Sequence, residues 1–125
     1  MERRATRYRE IPAEAMRAVA FRVEVARGRD TVRVCPVGDL DLASIDRVRE
    51  RLGEAIEAGT GRVILDLRGV TFADSSALHL ALDAHGRATR TGIAFAIVAG
   101  PPGVQRTFDV AGLSDRLPLV DVPHA

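Results

Sequence analysis

Two short stretches of the chain carry side chains whose type and spacing suit chemistry. The first is Val70-Thr71-Phe72-Ala73-Asp74-Ser75-Ser76-Ala77-Leu78, with His79 next and His85 a little further on. Ser75 and His79, four apart, could meet on one turn of a helix, as a hydrolytic triad would need. A triad also needs a third group behind the imidazole, and Asp74, directly before Ser75, is badly placed for that. The Gly-x-Ser-x-Gly nucleophile elbow is absent. Metal binding fails on spacing: His79 and His85, six apart on a helix, point in different directions, and no third ligand accompanies them. His79 is expected to be exposed and His85 partly packed, while His124 lies in the tail.

Asp-Ser-Ser is also how a helix starts, because a carboxylate or hydroxyl oxygen satisfies one of its orphan N–H groups. Capping and signalling are compatible here. A serine at a helix N-terminus gains about −1.5 to −2 of charge when phosphorylated. The helix end tolerates that charge in the free protein. A partner pressed against the same spot, with Asp74 beside it, does not.

The second stretch is Gly38-Asp39-Leu40-Asp41, expected as a strand-ending turn in which Asp41 caps the following helix. Neither a P-loop nor Gly-x-Gly-x-x-Gly occurs, so no nucleotide loop is expected. The single cysteine, Cys35, sits in the apolar run Val32-Arg33-Val34-Cys35-Pro36-Val37 and reads as a small core residue. One thiol makes neither an internal disulfide nor a cysteine-rich zinc site.

The elements that must position these stretches follow from periodicity. Phe21, Val23 and Val25 alternate with Arg22 and Glu24, and Arg27-Gly28-Arg29-Asp30 turns the chain into a second strand, Thr31 to Val37, which predicts an antiparallel hairpin. Leu42, Ile45, Val48, Leu52, Ala55 and Ile56 fall at spacings of three and four, predicting a helix that Gly59-Thr60-Gly61 ends. Val63 to Leu67 is short and continuously apolar, as in a strand buried on both faces. A second helix is expected from Ser75 to Thr89, with Leu78, Ala81, Leu82 and His85 near one face. A further buried strand runs from Ile93 to Ala99, Pro101-Pro102 opens a third helix carrying Val104, Phe108 and Val110, and Leu117 to Val122 adds a last short strand. Strands alternating with helices give an α/β sheet with a parallel portion and a hairpin edge.

Composition sets the outer bounds. At 125 residues there is room for one domain. Apolar residues at 46% and charged residues at 28% exclude a wholly disordered chain. The apolar runs are too short for a membrane span or a signal peptide, so the chain is expected in the cytoplasm with no membrane insertion. Eighteen basic against 17 acidic residues leave a net charge of +1. With no tryptophan and one tyrosine, that charge leaves nucleic-acid binding unsupported. Every basic residue is arginine, and asparagine is missing too; both absences fit a GC-rich genome. Residues 1–19 read as a flexible arginine-rich arm, 20–122 as the domain and 123–125 as a tail. Within the arm, Ala13 to Ala18 is expected as a short helix behind Pro12, and Met16 offers an alternative start.

Three of these segments resemble the STAS domain family, specifically the bacterial anti-sigma factor antagonists. They are Gly38-Asp39-Leu40-Asp41, the run from Val63 through Asp66-Leu67-Arg68-Gly69-Val70 to Asp74-Ser75-Ser76, and Phe108-Asp109-Val110-Ala111-Gly112-Leu113. The middle one is the specific motif, and the likeness spans about Phe21 to Val122. It implies an α/β fold with a mixed β-sheet, edged by an N-terminal antiparallel hairpin and with helices packed on one side. It further implies partner switching. The unmodified protein would bind an anti-sigma factor serine kinase, a histidine-kinase-like ATPase, and so free a sigma factor. Phosphorylation of the serine directly after the aspartate, here Ser75, would end the complex until a phosphatase resets it. Asp74, Ser76, Ala77 and His79 would flank the contact surface, and Asp39 and Asp41 match the family's acidic loop beside it. On this reading the chain is no enzyme and needs no cofactor.

Ala77 stands where the family usually has glycine, and His79 where it often has a small residue. Both are expected to restrict how closely a kinase cleft approaches Ser75. An alternative with the same fold is an adaptor subunit docking on the ATPase of a lipid-transport ABC system.

Overall fold

The computed structural model describes residues 21–120. The arginine-rich arm with its short helix, the alternative start at Met16 and the tail lie outside the described residues. In chain order the elements are β1 (Arg22–Arg27), β2 (Thr31–Leu40), α1 (Ile45–Glu57), β3 (Arg62–Asp66), β4 (Val70–Ala73), α2 (Ser75–Arg90), β5 (Ala94–Val98), α3 (Pro102–Val110) and β6 (Leu119–Val120). The expected final strand is thus seen at Leu119–Val120, and 121–122 fall outside the described residues. Among the described residues no helix is long and apolar enough to cross a membrane.

The sheet runs β1-β2-β3-β5-β6, with β4 attached to β2. β1 and β2 form the expected antiparallel hairpin, and the other pairings are parallel. Alternation along β2 sends Val32, Val34 and Leu40 into the core. β3 is buried on both faces, as its continuous apolar run requires. Ile45, Val48, Leu52, Ala55 and Ile56 of α1 join Val104 and Phe108 of α3 in the same cluster as Val34, Leu65 and Ile97, so the helices share one side of the sheet. Each fully buried Val, Leu, Ile or Phe in this layer contributes about 1.5–3 kcal/mol relative to exposure.

The structure differs from the sequence expectation in several places, each with a physical cause. Gly38 does not end the strand. At φ +113 it forms a bulge, its amide donating to the Gly69 carbonyl at 3.0 Å, and β2 continues beside β4. That conformation suits glycine, which has no Cβ to clash. Val70–Ala73 forms a strand that its sequence pattern does not predict. Cys35 faces away from the helices and is half-buried, on the opposite side of β2 from Val34. Leu42 is exposed because α1 begins only at Ile45, after a turn.

The inward face of α2 is Ala77, Leu80, Ala81, Ala84 and Ala88, one residue, or about 100°, away from the expected face. Leu82 is exposed and Leu78 only partly buried. Four alanines let this helix lie close to its neighbours, and close approach outweighs the pull of the larger leucines.

Candidate functional site

The bulge at Gly38 turns the last residues of β2 toward β4. Asp39 and Phe72 are register partners, as are Leu40 and Ala73. Across that pairing the Thr71 hydroxyl donates to Asp39 Oδ1 at 2.7 Å. The next residues form a tight turn. Asp41 Oδ1 accepts from the Ala43 amide at 3.0 Å, and the Asp41 carbonyl accepts from the amides of Ser44 and Ile45. Asp41 therefore closes the turn that precedes α1, while Ser44 holds the N-cap position expected for Asp41.

Ser44 is itself buried, and its hydroxyl joins both acidic residues. Ser44 Oγ donates to the Asp39 carbonyl at 2.7 Å and accepts from the Asp41 amide at 3.1 Å. One side chain thereby bonds a backbone carbonyl and a backbone amide of the acidic loop.

β4 delivers the serines to the same place. The Asp74 amide donates to the Leu40 carbonyl at 3.3 Å, so the end of β4 is tied to the acidic loop. Asp74 then caps α2, its Oδ1 accepting from the Ser76 amide at 2.8 Å from an extended backbone. Asp74 is half-buried, Ser75 is exposed as the first residue of the helix, and Ser76 is half-buried. On the other flank Thr107 of α3 donates its hydroxyl to the Ala73 carbonyl at 3.2 Å.

The expected site residues thus gather at one end of the sheet, with one exception. Ala77 is only 1% exposed and its methyl belongs to the core, so it offers nothing to a partner and does not obstruct an approach to Ser75. Helical geometry is the reason: Ala77 opens the i, i+3, i+4, i+7 face that α2 buries. His79 is exposed, one turn beyond Ser75. His85 is half-buried with its ring 6.0 Å from that of Phe95.

The Asp74 carboxylate accepts from the Ser76 amide at 2.8 Å, the role of a helix cap. Among the described residues no group of three or more His, Cys, Asp or Glu is arranged to hold a metal ion. The arrangement presents an exposed serine as the first residue of a capped helix, next to Asp74 and tied through the Asp74–Leu40 bond to the loop holding Asp39 and Asp41.

Three residues of this region went unread in the sequence. Thr71 and Ser44 fix the acidic loop, and Phe72 stands exposed beside Asp39. Asp-x-x-Ser before an apolar helical run is a helix-start signal that could have found Ser44. Nothing local pairs Thr71 with Asp39, 32 residues away.

A second polar cluster lies on β3, facing away from the helices. Asp66 is 3% exposed and accepts from Arg68 through its amide at 3.1 Å and through Nη2 at 2.6 Å. Burial pushes this carboxyl up, but the hydrogen bonds and positive charge of Arg68 outweigh it and hold Asp66 below the usual carboxylate range. Burial, seconded by the Asp66 charge, pushes the Cys35 thiol up.

Residues 22–124 match the family model described as the STAS domain. An anti-sigma F factor antagonist of Paenibacillus polymyxa is 30% identical over 102 residues, covering 81% of this chain and 87% of that protein. Among solved structures, the anti-sigma factor antagonist SpoIIAA in its unphosphorylated form is similar with a TM-score of 0.69 and 24% identity, over 84% of this chain and 90% of that one. SpoIIAA of Bacillus in the phosphorylated form gives 0.64 and 24%, over 84% and 93%.

Proposed function

The chain belongs to the STAS domain family, and from that premise we propose that it is an anti-sigma factor antagonist switched by phosphorylation of Ser75. Unmodified, it binds a histidine-kinase-like ATPase that otherwise holds a sigma factor, and the sigma factor is freed. The kinase then modifies its own inhibitor. Ser75 Oγ attacks the γ-phosphorus of ATP, the bond to the ADP oxygen breaks, and the hydroxyl proton passes to a base of the kinase. A phosphatase later returns the serine by hydrolysis. Asp39, Asp41, Asp74, Ser76 and His79 form the surrounding contact surface, and the exchange takes place in the cytoplasm.

One observation carries this reading: Ser75 is exposed at the start of a long helix whose cap, Asp74, is bonded to the loop holding Asp39 and Asp41. The helix N-terminus accommodates a phosphate in the free protein through its amides and dipole. In a complex the new charge meets the partner's surface with Asp74 already beside it. Like-charge juxtaposition there costs several kcal/mol, and roughly 3 kcal/mol weakens a complex about a hundredfold. That is enough to return the kinase to sigma without unfolding the antagonist. A curated relative named as an anti-sigma F factor antagonist supports the same assignment.

Ser75→Ala and Ser75→Asp forms, used as bait in native extract, test it. A histidine-kinase-like ATPase retained by the alanine form and lost by the aspartate form is expected. An ABC-transporter ATPase retained equally by both would replace the switch with the adaptor role.

A further inference from the structure

The three most exposed large apolar side chains of the described residues are carried by the three segments that hydrogen bonds tie together next to Ser75. They are Val110 at 82%, Leu42 at 78% and Phe72 at 52%. Leu42 tops the turn that Asp41 closes, two residues past the end of β2. Phe72 is the register partner of Asp39 on β4, three residues before Ser75. Val110 lies one helical turn beyond Thr107, the α3 residue bonded to the Ala73 carbonyl. Apolar residues scattered singly over a surface need no explanation. Three on segments tied together beside one exposed serine do.

The segments that carry Leu42, Phe72 and Ser75 also carry Asp39, Asp41 and Asp74 and no arginine, while α3 adds Arg106 and Asp109, which are of opposite sign. Such a surface is complementary to an apolar socket rimmed by arginine or lysine. An aromatic at its centre has the character of a binding hot spot, with acidic groups around it setting approach and specificity.

We propose that Phe72, with Leu42 and Val110 beside it, is the apolar anchor that seats the anti-sigma kinase over Ser75. This inference rests on the antagonist reading and adds to it the source of the affinity that phosphorylation must overcome. Phe72 fills a socket in the kinase, and Asp39 and Asp41 pair with basic groups at its rim, with none opposite Asp74 and Ser75. The phosphate on Ser75 therefore adds charge beside a largely apolar contact that offers nothing to compensate it.

The test uses the full chain and each histidine-kinase-like ATPase encoded by the source genome, expressed and purified, with calorimetry as the readout. Phe72→Ala is expected to weaken the complex more than about tenfold and Leu42→Ala by several-fold. Val120→Ala, a similarly apolar exposed position on the edge strand β6, is expected to leave binding unchanged. Phe72→Leu, which keeps an apolar side chain, is expected to lose less than Phe72→Ala, and melting curves confirm that each variant is folded.

Tight binding by the parent chain with no loss in Phe72→Ala and Leu42→Ala would overturn the anchor and leave the antagonist reading standing. Failure of the parent chain to bind any of these ATPases would remove that reading and the anchor with it. Self-association that disappears in Phe72→Ala while kinase binding persists would assign the patch to a second copy of the chain and also overturn the proposal.

Discussion

Ser44→Ala removes one buried oxygen from the centre of the site. The hydroxyl donates to the Asp39 carbonyl at 2.7 Å and accepts from the Asp41 amide at 3.1 Å. The variant removes both bonds to partly buried backbone groups. Each costs about 1 kcal/mol net when it can partly rehydrate, so the loss is about 2 kcal/mol. A domain of this size shifts by about 4 °C per kcal/mol, giving a fall in Tm of about 8 °C. The acidic loop, no longer tied down, should also bind the proposed kinase partner several-fold more weakly than the loss of stability alone explains. Differential scanning calorimetry and calorimetric titration read the two effects separately. Ser44→Thr keeps the oxygen and should recover most of both. A Tm within 2 °C of the parent for Ser44→Ala would refute the assignment of Ser44 as the tie between Asp39 and Asp41.

Asp74→Ala removes the α2 cap, whose Oδ1 bonds the Ser76 amide at 2.8 Å, and is expected to cost about 1 kcal/mol by urea denaturation. Asp74→Asn, which also accepts a capping bond, should recover most of it. Asp66 titrates below its unfolded value, so the stability it contributes is complete above about pH 4 and is lost as pH falls through the folded value. Urea midpoints between pH 6 and pH 3 should fall, and Asp66→Asn should start lower and fall less steeply. Cys35, raised by burial and then by the Asp66 charge, should react with iodoacetamide at pH 8 more slowly than a cysteine in an unstructured peptide. Asp66→Asn should speed that reaction, and an equal rate in both proteins would remove the Asp66 charge as a cause.

Large side chains at regular spacing made much of the fold legible. Ile45, Val48, Leu52 and Ile56 announced α1, and Val63 to Leu67 announced a strand buried on both faces. The failures share a cause, which is that the deciding contacts are distant in sequence or made by small groups. β4 is four residues without alternation, Val70 and Ala73 buried and Thr71 and Phe72 exposed, and it exists because β2 continues past Gly38 to pair with it. The face of α2 is set by alanines, whose small volume matters more than their modest hydrophobicity. Leu42 had the spacing of a core residue but falls in a turn. At the site, Asp39, Asp74 and Ser75 were legible from their motifs. The hydroxyls of Thr71 and Ser44 that fix the geometry were not, because their partners are set by tertiary structure and by a bulge.

The most direct test of the proposal mixes the chain with a purified histidine-kinase-like ATPase from the same genome, adds ATP, and follows both the complex and the mass of the chain. A single phosphoryl group mapped to Ser75 by tandem mass spectrometry, appearing as the complex dissociates, is the expected result. A complex that persists after Ser75 is modified, or dissociates with the phosphate on another residue, would contradict a switch built on Ser75.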